Sequence, residues 1–283
     1  MTAITADLAP GRDSTYSHSP ARLFISDVLV LTKRRIARIR REPETLADVT
    51  FMPVIFILMF TYVFGGAIKL PGAGSYPEYL IGGMLGMGLA QTAPGVAVAL
   101  VTDMETGLMD RFRSLPMSRW AVLLAQSIAE LLNQLISTAI VVAVGLAIGW
   151  RVHTDAADVA FALALALLFG YAFTWAGVWL GMTMRSAEAA QQLGFIIFLP
   201  LTFISSAFVP TQSMPGWLQP IAEWNPLSAL AAAVRSLCGN PNPAAEVQVW
   251  PMQHPELAVI FWSVGMLAVF APLAVRKYRT KTE

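Results

Sequence analysis

Residues Asp103–Arg119 read DMETGLMDRFRSLPMSR, a charged island between two long apolar runs. Asp103, Glu105, Asp110, Arg111, Arg113 and Arg119 carry its charge, whereas Tyr79–Val101 before it and Trp120–Gly149 after it are nearly free of charge. Such an island is a loop or short helix held at a membrane surface. Leu108, Phe112 and Leu115 follow helical spacing and make an apolar edge flanked by Arg111 and Arg113. Pro116 ends any helix there, because the residue before a proline is pushed out of the helical region. Two readings follow: a solvated loop that only obeys the positive-inside rule, or a docking element for a partner protein.

Composition sets the class. The 283 residues are 56% hydrophobic and 13% charged, with a mean hydropathy of +0.59. Soluble domains average about 25% charge, so the chain is too apolar for a water-soluble globule. The single cysteine, Cys238, excludes an internal disulfide and a cysteine metal cluster. His18, His153 and His254 have no ligand spacing. Residues 1–20 lack the apolar core of a signal peptide and read as a disordered cytoplasmic tail.

Outward from the island, Ala21–Arg41 has Ile25, Val28, Leu29, Thr32, Ile36 and Ile39 at helical spacing, with basic residues crowding its second half. This predicts an amphipathic helix lying in the membrane interface and closed by Pro43. A basic helix that binds nucleic acid is the other reading, and the membrane span that follows within about ten residues argues against it. Six apolar segments approach the roughly 20 residues that a bilayer requires. They are Val49–Gly66, Tyr79–Val101, Trp120–Gly149, Val159–Met182, Gln191–Val209 and Leu257–Val275. The third is longer than a bilayer is thick, so it tilts or its first turns emerge. Pro53, Pro94 and Pro272 predict kinks. The expected fold is thus an all-α polytopic membrane protein of six transmembrane helices.

Orientation follows from the basic residues. Of 19 lysines and arginines, all but Lys69, Arg151 and Arg235 fall in the N-terminal segment, the island, the connection at Arg185 or the C-terminal tail. The positive-inside rule places these segments, and both termini, in the cytoplasm. Between spans five and six, Pro210–Glu256 contains two apolar pieces, Gly216–Ile221 and Leu227–Leu237, interrupted by Pro215, Pro220 and Pro226. Each is too short to span and too apolar for water, which predicts re-entrant helices at the outer face. Trp217, Trp224, Trp250 and Trp262 suit that interface.

Within the third span Gln126, Glu130, Asn133, Gln134 and Ser137 share one helix face. They either line a substrate path or join helices by hydrogen bonds, and the second use is the commoner one. Gly82/Gly86, Gly145/Gly149 and Gly177/Gly181 permit close helix approach. Lys33, Lys69, Lys277 and Lys281 are the lysines, and none follows a glycine, so no P-loop is present. There is no nucleophile elbow and no His-Glu-x-x-His. Energy for any transport must come from a partner or an ion gradient.

These residues carry a family resemblance. Glu105-x-Gly107 with RFRSLPMSR (Arg111–Arg119), then FVPTQSMPGWLQP (Phe208–Pro220), Asn225-Pro226-Leu-Ser and Arg235-Ser-Leu resemble the membrane subunit of type-2 ABC exporters. The chain looks close to the daunorubicin-resistance permeases of actinobacteria. The resemblance covers residues 21–280, which would form one permease domain. It implies that the island seats on ABC ATPase subunits through Arg111, Phe112, Arg113 and Leu115. Leu108 would share that edge, and Glu105 and Gly107 would shape the start of the coupling helix. It implies that Pro215, Trp217, Asn225, Pro226 and Arg235 belong to the re-entrant segment beside an exit path.

The resemblance further implies a second permease copy or paralogue, a hydrophobic or amphipathic cargo (drug or lipid), and a plasma-membrane location. No cofactor is expected on this chain, ATP and Mg being held by the partner ATPase. Two other functions stay open: a proton-coupled secondary carrier with Glu130 as proton site, and a membrane assembly protein without transport.

Overall fold

The computed structural model describes residues 43–66, 68, 75–106 and 119–280, with side chains at 51–66, 68, 75–106 and 127–278. The N-terminal tail and the interfacial helix expected at Ala21–Arg41 lie outside the described residues. Ten α-helices follow in order among those described: α1 Pro43–Met59, α2 Tyr76–Ala90, α3 Thr92–Glu105, α4 Arg119–Ala147, α5 Ala156–Thr183, α6 Ala187–Phe203, α7 Gln219–Glu223, α8 Pro226–Leu237, α9 Trp250–Gln253 and α10 Pro255–Thr280. No strand occurs among the described residues.

Helix α5 is the centre of the bundle. Its sequence, AADVAFALALALLFGYAFTWAGVWLGMT, is apolar on every side. A helix without a polar face is buried on all faces or meets lipid. Here α10, α3, α8, α4, α2 and α6 all pack against it. Glycines bring α3 close: a Cβ on Gly177 would stand 2.3 Å from the Ala93 carbonyl oxygen. The span regions of α2–α3 and α5 are each 56% buried, against 28% for those of α4 and α10. The outer helices thus present bare apolar faces, with Leu257, Phe261, Val264, Val269 and Leu273 exposed along α10.

Among the described residues, four helical stretches are long and apolar enough to cross a membrane: Tyr76–Glu105, Ser127–Ala147, Ala156–Thr183 and Pro255–Tyr278. Of the six expected spans, the first and fifth correspond to shorter apolar helices, Phe51–Phe64 and Ala187–Phe203. Residues Phe60–Phe64 of the first form a π-turn. The fifth stops at Phe203 rather than Val209 because an asparagine side chain, described below, takes the carbonyls of its last turn.

Proline acts unevenly. The second span breaks at Gln91, one turn before Pro94, where the missing N–H leaves the Ala90 carbonyl without its helical donor. Through Pro53 and Pro272 the helices α1 and α10 run on. Gly149 does not bring helices together, contrary to its expected pairing with Gly145. It has φ +104° and terminates α4 in the left-handed region, with the Trp150 N–H closing back on the Gly145 carbonyl at 2.9 Å. Likewise the first re-entrant piece expected at Gly216–Ile221 is displaced to Gln219–Glu223, with Pro220 in the first turn, a position where its missing N–H costs nothing.

Candidate functional site

The chain between α6 and α7 contains non-helical backbone at the heart of an apolar bundle. Ser205, Ser206, Ala207 and Phe208 are all buried. Backbone groups there cannot turn to water, so protein must satisfy them. Asn225 does so first: its Nδ2 donates to the carbonyls of Leu201 (2.7 Å) and Ile204 (2.5 Å). Its Oδ1 meanwhile accepts from the Leu227 N–H at 2.8 Å and caps α8, with Pro226 at the first helical position. Ser228 Oγ accepts from the Ser206 N–H at 2.8 Å. The Tyr79 and Tyr76 hydroxyls donate to the carbonyls of Ser206 (2.7 Å) and Phe208 (3.3 Å).

Arg235 completes this junction and is fully buried. Its Nη2 donates to the carbonyls of Ser206 (2.8 Å) and Ala207 (3.2 Å), and its Nε to that of Tyr79 (2.8 Å). The guanidinium lies 3.5 Å from the centre of the Tyr79 ring. Among the described residues no carboxylate pairs with it, and Nη1 has no hydrogen-bond partner. A buried cation is costly unless hydrogen-bonded. Here carbonyl dipoles and the face of a tyrosine ring, in place of an anion, hold the charge. Arg235 was counted above with the outer connections; the structure places it inside the protein. The helices close tightly around it, and a Cβ on Gly83 would come within 2.0 Å of the Ala207 carbonyl oxygen.

Thus three of the five outer-segment residues singled out in the sequence, Asn225, Pro226 and Arg235, meet at one junction. Pro215 and Trp217 do not; both are exposed, Trp217 by 73%. Tyr76, Tyr79, Gly83 and Ser228 belong to the junction and were missed. The available signal was Arg235 itself, since an arginine in the apolar helix LSALAAAVRSL needs acceptors nearby.

At the opposite end of the bundle, Glu105 closes the last turn of α3. Its Oε1 accepts from the Ala187 N–H at 3.3 Å, the first residue of α6, while Ser186 Oγ accepts from the Ala189 N–H. A carboxylate at a helix N-terminus meets unsatisfied N–H groups and the positive end of the dipole. The start of the charged island is therefore bonded to α6. Gly107, Leu108, Arg111, Phe112, Arg113 and Leu115 lie outside the described residues, and Arg119 begins α4.

The polar face of α4 divides. Gln134 is buried, and its Nε2 donates to Thr174 Oγ1 of α5 (2.9 Å) and Thr92 Oγ1 of α3 (3.3 Å), joining three helices. Glu130 and Asn133 are half-buried, with Asn133 Nδ2 donating to Glu130 Oε2 at 3.2 Å. Gln126 is in α4, its side chain outside the described residues. No group of three or more histidine, cysteine, aspartate or glutamate side chains that could hold a metal occurs among the described residues.

Long apolar helices around a polar, protein-satisfied backbone break define a multi-pass membrane protein. Comparison with known proteins gives the family: residues 26–238 match the ABC-2 type transporter family. The daunorubicin resistance ABC transporter permease protein DrrB1 of Streptomyces coeruleorubidus is 32% identical over 263 residues, covering 93% of this chain and 89% of the relative. The probable doxorubicin resistance ABC transporter permease protein DrrC of Mycobacterium tuberculosis is 26% identical over 283 residues, 99% of this chain and 98% of that one. A putative transport permease, ycf38, of Cyanophora paradoxa is 25% identical over 217 residues, covering 76% of this chain and 74% of its own. The chain belongs to the ABC-2 type transporter family and is a permease subunit of an ABC exporter.

Proposed function

We propose that two copies of this permease, or one copy and a related permease, work in the plasma membrane with two ATPase subunits encoded separately. ATP and Mg bind to those partners. The cargo is a hydrophobic or amphipathic compound, with the drugs in the relatives' names, daunorubicin and doxorubicin, as the first probes.

Six spans, α1, α2–α3, α4, α5, α6 and α10, carry both termini in the cytoplasm. The lysine and arginine distribution supports this orientation, and it is sharper with Arg235 removed from the outer count. Helices α7 and α8 are re-entrant at the outer face.

The observation that carries the coupling mechanism is the bond from Glu105 to the N-terminus of α6. ATP-driven closure of the ATPase dimer pushes the island, whose apolar edge Leu108, Phe112 and Leu115 seats on the partner between Arg111 and Arg113. Gly107 lets the chain turn into that element. The push reaches α6 through Glu105, and the far end of α6 is tied to α8 through Asn225 and Arg235. A displacement at the cytoplasmic face thereby moves the re-entrant segment, including Pro215, Trp217 and Pro226, beside the exit path.

The test is ATP-dependent uptake of doxorubicin into inverted membrane vesicles carrying this chain and its ATPase. Uptake must cease when the ATPase is made hydrolysis-deficient. Uptake that survives, and is abolished instead by Glu130→Gln, would identify a proton-coupled carrier. A stable complex that moves no lipophilic solute would identify an assembly protein.

A further inference from the structure

At the end of the bundle away from Glu105, a cavity of about 190 Å³ lies between α2, α4, α5 and α8. Leu85, Val142, Leu163, Val234, Trp150 and Cys238 are among its walls, and the lining is apolar. An apolar cavity of roughly 150 Å³ stays dry yet takes up benzene, so this one suits hydrocarbon.

The segment that closes the cavity is fixed in place. Trp150 Nε1 donates to Asn240 Oδ1 (2.8 Å), Asn240 Nδ2 to the Arg151 carbonyl (2.7 Å), and the His153 N–H to the Cys238 carbonyl (3.0 Å). The cavity is thus preformed. Leu146, also in the lining, is 44% exposed and opens it to the outer surface of a spanning helix.

Arg151 stands at this mouth, between the lining residues Trp150 and Val152. Its Nη1 donates to the carbonyls of Leu146 (2.7 Å) and Trp150 (2.8 Å), which pins the guanidinium and leaves the donors on Nη2 and Nε for a ligand. Among the described residues it makes no ion pair.

We propose that this cavity holds part of an acyl chain of a phospholipid whose phosphate is bound by Arg151. The inference needs only that α4 and α5 cross the membrane and is independent of ATPase coupling and of cargo.

The chain's only cysteine lines the cavity, so the unaltered permease reports on its occupancy. In delipidated, detergent-purified protein, N-ethylmaleimide should modify Cys238. Phosphatidylethanolamine at roughly nine times its Kd should slow the reaction about tenfold. Arg151→Gln should raise the lipid needed for half-protection about tenfold while leaving the lipid-free rate unchanged. Leu163→Trp, which fills the space, should react slowly with or without lipid. A rate indifferent to phosphatidylethanolamine in the unaltered protein overturns the proposal, whatever becomes of the variants. So does protection that follows dimerisation without lipid, which would make a second copy the occupant.

Discussion

The Arg235 guanidinium stacks on the Tyr79 ring at 3.5 Å while its Nε bonds the carbonyl of the same tyrosine at 2.8 Å. One residue of α2 therefore receives the charge twice, through its ring and through its backbone. Lysine cannot do this: its ammonium lacks the planar fork that reaches three carbonyls and lies flat on a ring. Arg235→Lys should destabilise the detergent-solubilised permease by about 2–4 kcal/mol. Tyr79→Phe, which keeps the ring and loses only the hydroxyl bond to Ser206, should cost about 1 kcal/mol. Denaturation of both variants checks the ranking, and equal losses would show that the planar guanidinium contributes no more than a single hydrogen bond does.

Gly83 faces the Ala207 carbonyl with no room for a methyl, whereas a Cβ on Gly95 would meet nothing within 4 Å. Gly83→Ala should cost roughly 1–3 kcal/mol or more by overpacking and lower the yield of folded protein. Gly95→Ala, at an exposed position of helix α3, should be neutral or stabilising by about 0.5–1 kcal/mol. Melting temperatures in one detergent compare the two directly.

Ser75, just before α2, and Ala156, the first residue of α5, are exposed. In whole cells, cysteines placed there should react with membrane-impermeant thiol reagents, and one at Ser114 should not. Native Cys238 is buried and gives little background with such charged reagents. Labelling of Ser114 from outside would reverse the proposed orientation.

On the helix expected for the island, Phe112 shares an apolar edge with Leu108 and Leu115, whereas Arg111 and Arg113 lie about 200° apart. Truncating a buried aromatic anchor commonly costs about 2 kcal/mol or more, and a rim charge far less. Phe112→Ala should therefore weaken ATPase binding more than either arginine-to-alanine change, with membrane insertion intact. Pull-down of the solubilised complex measures it. Normal ATPase binding by Phe112→Ala alongside loss in Arg111→Ala would place docking on the other side of the helix.

An amide at position 130 can still accept from Asn133. Glu130→Gln should keep ATP-driven transport within about twofold, consistent with the small worth of a single polar contact between membrane helices. Loss of transport in a well-folded, ATPase-bound variant would make the carboxylate itself functional.

What the sequence made legible was local. Run lengths located the apolar helices, but that α5 is the central one emerged only from the packing of six helices against it. Asn225-Pro226 signalled the start of α8 because a cap and a first-turn proline act within two residues. What stayed hidden depended on backbone atoms brought from afar. The acceptors of Arg235 belong to Tyr79, Ser206 and Ala207, and carbonyls carry no side-chain signature. The Glu105 carboxylate likewise meets an N–H 82 positions later. A tight left-handed turn at Gly149 and a packing glycine at Gly177 look alike in sequence, since both use only the missing side chain.

The break at Gln91 gives the second span a joint. Below it, α3 is bonded to α6 through Glu105; above it, α2 is clamped by Arg235. With the Ala90 carbonyl already lacking its donor, a bend at Gln91 costs no hydrogen bond there. Gln134 bonds Thr92 beside the joint and ties it to Thr174 of α5. Under the proposed coupling, a push entering at Glu105 would turn α3 about Gln91, where an unbroken helix would slide as a piston.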